Sequence, residues 1–213
     1  MRKILKRKLQ KISHYYSGMM KNWKEYSIKD LSIGVYDGPH ATPARSKSGA
    51  VFLGIKNIRQ DGVIDFTDTY FISEDDFPKW TKRVKPKFGD LVFSYEATLH
   101  RYALIPANFR GCLGRRMALI RPKQDLLDIK FLFYYFLSPG WKSFIEANLI
   151  SGSTVDRIPL IKFPHYKISA PPLLIQKRIS SILSAYDELI EVNSRRIKIL
   201  EETASELYKE WFV

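Results

Sequence analysis

Residues 170–213 read APPLLIQKRISSILSAYDELIEVNSRRIKILEETASELYKEWFV. From Leu173 to Val213 there is neither glycine nor proline, and Glu, Lys, Arg, Leu, Ile and Ala dominate, the composition of a long helix. Apolar or small residues fall at 175, 179, 182, 186, 189, then 197, 200, 204, 207 and 211, in the alternating steps of four and three that mark a coiled-coil seam. Two four-residue steps adjoin at Asn193. A polar residue on a seam fixes register, and the changed step alters the local winding. About 38 helical residues make a rod of roughly 57 Å. A domain of ordinary size cannot cover the stripe of such a rod along its whole length, so a partner helix is expected. A lone surface helix folded back on its own domain is the alternative. The expected seam is Ile182, Tyr186, Leu189, Asn193, Ile197, Leu200, Leu207 and Trp211.

Upstream, residues 23–170 have the texture of one compact mixed domain. Short apolar runs at 50–55, 91–95, 102–105 and 117–120 predict strands, and Gln60-Asp61-Gly62 and Phe88-Gly89-Asp90 predict turns. Asp128 to Asn148 predicts a helix that Pro139-Gly140 breaks in two. The fold class expected is therefore α+β, a mixed domain followed by a long C-terminal coiled-coil helix. Residues 1–22 predict a basic N-terminal arm, amphipathic through Ile4, Leu5, Leu9 and Ile12 and ended by Gly18.

Apolar residues make up 45% of the chain, enough for a sizeable core. The single cysteine, Cys112, excludes a disulfide framework and points to a reducing, cytoplasmic setting. No stretch reaches the roughly 18 apolar residues of a membrane span, and the N-terminus lacks the apolar core of a secretory signal. The formal charge of +13 is localised: residues 1–24 hold eight basic residues and no acid, and residues 79–123 hold eleven basic and two acidic. Such patches are the footprint of a polyanion-binding surface.

Catalytic signatures are missing. There is no phosphate-wrapping Gly-x-x-x-x-Gly-Lys-Ser/Thr loop. The only Pro-Pro, in Ala170-Pro171-Pro172-Leu173, lacks the leading amide and the aromatic of an amino-methyltransferase turn. The basic stretch has only Asp90 and Glu96 to offer a metal, and His14, His40, His100 and His165 are scattered without zinc spacing. Neither catalytic nor metal-ligating residues are expected.

The run from Pro171 through Leu183, continuing with Asp187, Ile190-Glu191, Asn193, Ile197 and Leu200-Glu201 and closing on Leu207-Tyr208-Lys209-Glu210-Trp211-Phe212-Val213, resembles the spacer helix of type I restriction-modification specificity subunits. The upstream domain is similar to their target recognition domain. Trp23 opens it, Asp37-Gly38-Pro39-His40-Ala41-Thr42-Pro43 resembles the early loop, Lys87 to Ser94 the mid-domain turn, and Gly152-Ser153-Thr154 with Ile158-Pro159 the last loop. One departure stands at His100, after Thr98-Leu99, where the family often has glycine; this bears on the loop's shape.

The resemblance implies a non-catalytic, half-length subunit with one recognition domain, at 23–170, and one spacer helix, at 171–213, for dimerisation and partner docking. It implies a bipartite target on double-stranded DNA and chemistry on partner subunits. The methyltransferase would bind S-adenosylmethionine, and a motor-nuclease would use ATP and Mg. No cofactor is expected on this chain, and a second half-chain, most simply an identical one, would complete the pair. Phosphate contacts are expected from Lys79, Lys82, Arg83, Lys85, Lys87, Arg115 and Arg116. Base reading is expected from the loops carrying His40, Thr42, Arg45 and Lys47, then Tyr95, Thr98, His100 and Arg101, then Ser151, Ser153, Thr154 and Arg157. The alternative is a plain coiled-coil interaction protein whose basic arm docks on an anionic membrane or a nucleic acid.

Overall fold

The computed structural model describes residues 22–150 and 155–212. The basic arm, apart from Asn22, lies outside the described residues, as do Ser151, Ser153, Thr154 and Val213.

The elements run β1 (Lys24–Ser27), α1 (Ile28–Leu31), β2 (Ser32–Asp37), β3 (Ala50–Leu53), β4 (Phe71–Ile72), α2 (Phe77–Trp80), β5 (Leu91–Ser94), β6 (Tyr102–Leu104), β7 (Gly111–Leu113), β8 (Met117–Pro122), α3 (Ile129–Leu137), α4 (Pro139–Ala147), β9 (Lys167–Ala170) and α5 (Leu173–Phe212). The four predicted strands are present as β3, β5, β6 and β8, with ends moved by one or two residues. After Leu53 the run to Ile55 leaves the strand for a 3-10 turn over Ile55–Asn57.

β2, β8, β5 and β6 form an antiparallel sheet in that order. Its strands alternate between two cores. Leu91 and Phe93 of β5, Tyr102 of β6 and Ala118 and Ile120 of β8 face the helices α3 and α4, packing with Phe131, Leu132, Phe136, Trp141 and Phe163. Val92, Ala103, Met117 and Leu119 face the other way, onto Leu53, Leu113, Ile58 and Val84. With both faces covered, the strands read as continuous apolar runs rather than as an alternation. The second layer is the sheet β4-β3-β7, in which β3 and β7 are parallel. Its far face, Ala50, Phe52, Ile72 and Cys112, packs on Phe77 and Trp80 of α2. The molecule is thus layered helix, sheet, sheet, helix.

Asp128 caps α3 by accepting from the Phe131 N–H at 2.8 Å. Ser138 then ends α3 in extended backbone and caps α4, with Pro139 in the first turn, so the predicted break falls between the two helices. Across it Phe136 stacks on Trp141 with centroids 4.3 Å apart, and the Trp141 indole N–H donates to the Tyr102 hydroxyl at 3.2 Å.

Both predicted turns place glycine at positive φ, +85° at Gly62 and at Gly89. After Gly89, Asp90 is fully buried yet satisfied. It accepts from the Lys87 N–H at 2.9 Å and from two nitrogens of Arg121 at 2.9 and 2.7 Å, fixing where β5 begins against β8. The Arg121 left behind is partly exposed and keeps its bond to the Lys85 carbonyl, so Asp90→Ala is expected to cost about 1–3 kcal/mol, read as a lower denaturant midpoint with an unchanged slope.

α5 is continuous over 40 residues, about 60 Å. Among the described residues its first four turns, to Asp187, touch the domain. Gln176 and Ser180 are buried and Ile179 is half-buried, whereas residues 185–212 are exposed throughout. The domain-facing positions Gln176, Ser180, Ser184 and Asp187 lie about 140° around the helix from the expected seam. The seam side chains therefore stand free, Leu200 at 67% and Trp211 at 71% exposure.

Candidate nucleic-acid interface

Three sequence-distant loops meet where β5 ends. The Tyr95 N–H donates to the Arg116 carbonyl at 3.1 Å, the Ile158 N–H to the Tyr95 carbonyl at 2.8 Å, and the Ala97 N–H to the Asp156 carbonyl at 3.2 Å. Glu96 and Arg157 form a β-bridge, and Arg157 bridges Ile150 as well. The early loop joins from the other side. The Gly38 N–H donates to the Met117 carbonyl at 2.8 Å, and His40 Nδ1 lies 3.4 Å from the Tyr95 hydroxyl. His40, Tyr95, Arg116 and Arg157 are thereby brought together from four places in the sequence.

Two acids at this end, Asp37 and Glu96, are held by neighbouring cations. Asp37 sits 2.8 Å from His40 Nε2 and 2.6 Å from an Arg83 nitrogen, and that guanidinium also donates to the Gly38 carbonyl at 3.4 Å. Glu96 lies 3.0 Å from Arg116 Nε, but the Nε–H is not directed at the carboxylate, so the contact is ionic rather than a hydrogen bond. Lys79, Lys82, Arg101, Arg115 and Arg157 have no carboxylate within ion-pair distance among the described residues. Asp37 and Glu96 are thus neutralised from within, while Arg115 and Arg157 face solvent with no carboxylate partner among the described residues. Such a surface attracts a polyanion, with long-range steering weakened by salt.

The backbone here is held in an unusual state. Ala97, His100 and Arg116 adopt φ of 69°, 60° and 77°. Left-handed non-glycine residues are destabilising by about 1–2 kcal/mol each and persist where the surroundings over-determine them. His100 thus supplies the turn for which the family often uses glycine.

Other expected residues lie apart. Thr42 and Lys47 are exposed on the early loop, and the Arg45 guanidinium lies over the Tyr70 ring at 4.6 Å, beside β4. Lys85 lies over the Phe77 ring at 5.4 Å, while Lys87 lines a cleft with Ile33, Phe88 and Lys123 at the opposite end of the four-stranded sheet. Thr98 and Arg101 line an open cleft with Lys56 and Arg59. Asp37, Glu96, Lys56 and Arg59 escaped the sequence reading. Glu96 had a visible signal as one of two acids in a stretch of eleven bases. Arg83 finds Asp37 across 46 residues, which no local pattern records.

Burial, followed by Asp37 and Glu96, raises the Tyr95 hydroxyl above its ordinary value, so it stays a neutral donor. His100 turns away from the loops toward α4, 3.4 Å from the Tyr102 hydroxyl and 3.7 Å from Glu146, and burial lowers its pKa. Among the described residues no group of three His, Cys, Asp or Glu side chains could hold a metal, and no helix is long and apolar enough to cross a membrane.

A mixed domain with three sheets among the described residues, cationic loops at the end of β5 and a projecting helix defines a module carried on a rod. Residues 20–202 match the family described as type I restriction modification DNA specificity domain, and the chain belongs to that family. The HindI specificity subunit of Haemophilus influenzae, a type I restriction enzyme component, is 24% identical over 199 residues, 91% of this chain and 41% of that protein. The HsdS subunit from Thermoanaerobacter tengcongensis superposes with a TM-score of 0.61 at 20% identity, over 87% of this chain and 47% of that one. The type I system S subunit from M. genitalium gives 0.60 at 19% identity, over 90% and 46%. The chain spans less than half the length of the curated relatives it matches.

The lowered pKa of His100 carries a pH consequence. A histidine depressed below its ordinary value of 6.5 takes up its proton more readily when unfolded. Folding stability is therefore full above pH 6.5 and falls as the pH drops through the depressed value. In His100→Gln that acid-side decline is expected to be shallower, checked by denaturant unfolding at a series of pH values.

Proposed function

We propose that the chain is a sequence-specific DNA-binding specificity subunit of a type I restriction-modification complex. It reads one half of a bipartite site with the loops around Tyr95, Arg101 and Arg157, and it directs methyltransferase and endonuclease partner subunits without performing chemistry itself. The observation that carries this is that Arg115 and Arg157, on loops that meet at the end of β5, face solvent with no carboxylate partner among the described residues, on a chain of the specificity family. Arg115, Arg157, Lys79 and Lys82 meet phosphates, and the chain of contacts Tyr95–His40–Asp37–Arg83 holds base-reading groups in place. No cofactor belongs to this chain; S-adenosylmethionine, ATP and Mg belong to the partners. The complex works in the cytoplasm, with recognition domain and spacer helix meeting near Pro171.

The second half is a copy of the same chain, joined along the free stripe of α5. The stripe is self-complementary when two copies run antiparallel. Ile182 then meets Trp211, Tyr186 meets Leu207, Leu189 meets Ala204, Asn193 meets Leu200, and Ile197 meets itself. Leu183 and Tyr208, both exposed, flank the seam at one level. The macrodipoles of antiparallel helices also oppose each other favourably.

Co-expression with a type I methyltransferase subunit, followed by methylome sequencing of the host, tests the reading. A new methylated motif with two inverted, identical halves supports a homodimeric reader; no new methylation and no co-purifying subunit overturn it. Leu200→Asp is expected to sediment as a monomer and to lose tight DNA binding, and a dimer in that variant would move the seam elsewhere. Arg115→Ala is expected to weaken binding to all sequences alike and to lower the slope of log affinity against log salt by about one.

A further inference from the structure

The junction between domain and helix is built from polar groups where apolar ones would suffice. Gln176, the first buried position of the helix and only 2% exposed, uses every group it has. Its amide nitrogen donates to the Leu126 carbonyl at 3.1 Å and to the Pro171 carbonyl at 2.8 Å, and its oxygen accepts from the Asp128 N–H at 2.9 Å. Asp128 is itself the cap of α3. One side chain therefore ties the start of α5 to the start of α3. Three turns on, the Tyr134 hydroxyl of α3 lies 2.6 Å from an Asp187 carboxylate oxygen and 3.3 Å from the Ser184 hydroxyl of α5. Burial, and then the bond to Asp187, pushes the Tyr134 hydroxyl up to about 12, so it remains a donor across the working pH range.

Two attachments on one pair of helices, 11 residues or about 16 Å apart, define a direction as well as a position. Beyond Asp187 the helix runs free for about 38 Å, so a tilt of about 5° moves its far end by about 3 Å, close to the ~3.4 Å step of one base pair. We propose that Gln176 and the Tyr134–Asp187 contact form a rigid joint that sets the helix angle and thereby the separation of the two DNA half-sites. Tyr134 and Asp187 are positioning residues remote from the loops. This inference rests on the paired, DNA-reading function proposed above.

The test uses the purified full chain and a pool of randomised duplexes long enough to hold two half-sites, with the bound fraction sequenced. Tyr134→Phe keeps the ring and its packing and removes only the hydroxyl. The wild-type chain is expected to enrich one half-site sequence in inverted pairs at a single separation. Tyr134→Phe and Asp187→Ala should each enrich the same half-site with an unchanged thermal midpoint. In each, the single separation should give way to a spread reaching about one base pair longer and shorter. The double variant should spread no further than either single one, because both remove the same bond. Retention of the wild-type separation by both single variants overturns the joint. Half-sites enriched by the wild type without any fixed separation overturn it too, while leaving the DNA reader standing. No enriched sequence at all removes the reader and the joint together.

Discussion

The constraint on which the rest depends is that β5 and β8 are buried on both faces. Leu91, Val92 and Phe93 and their neighbours Met117 to Ile120 are all essentially inaccessible, sandwiched between the aromatic layer of α3 and α4 and the second sheet. A side chain on these strands has no route to solvent. Groups that must meet a ligand can stand only at strand ends, and that is where Tyr95, Arg101, Arg116 and Arg157 are found. The Asp90–Arg121 pair at the other end holds β5 in register, so the loop that follows it emerges at a fixed place.

The loop cluster is organised by charge neutralisation from within. Asp37 and Glu96 are satisfied by Arg83, His40 and Arg116, leaving the outward cations to act on whatever approaches. The two kinds of arginine differ in purpose. Arg116, with its side chain drawn in and its backbone left-handed, shapes the loop, whereas Arg115 next to it points to solvent. Side by side in the sequence, they are distinguishable only by the backbone that separates them.

The long helix was legible because nothing in 173–213 interrupts it, and the break at Pro139 because ring and cap chemistry leave no other solution. The strands of the double-faced sheet showed as apolar runs. β1, β2, β7 and β9 did not, being short and rich in polar residues or glycine, and held by pairing across the chain rather than by their own pattern. The parallel match of β3 with β7 had no local trace. The face of α5 that meets the domain was hidden for a different reason. Its two buried positions, Gln176 and Ser180, are polar, so hydrophobic periodicity pointed to the free seam and passed over the attached side. Of the interface, the loops were visible through resemblance, but Asp37 and Arg83 are partners only in three dimensions.

The first strand and the last one pair with each other, Lys24 against Ala170 through to Ser27 against Lys167. β1 leaves the ribosome early and can find its mate only after almost the whole domain has followed. Closure is thus a late, long-range step in folding, of the kind that loop entropy makes slow. Because β9 is followed at once by α5, the adhesive stripe of the helix emerges only after the segment that completes the domain. The order of synthesis places assembly after folding, so the sticky surface spends little time beside an unfinished core.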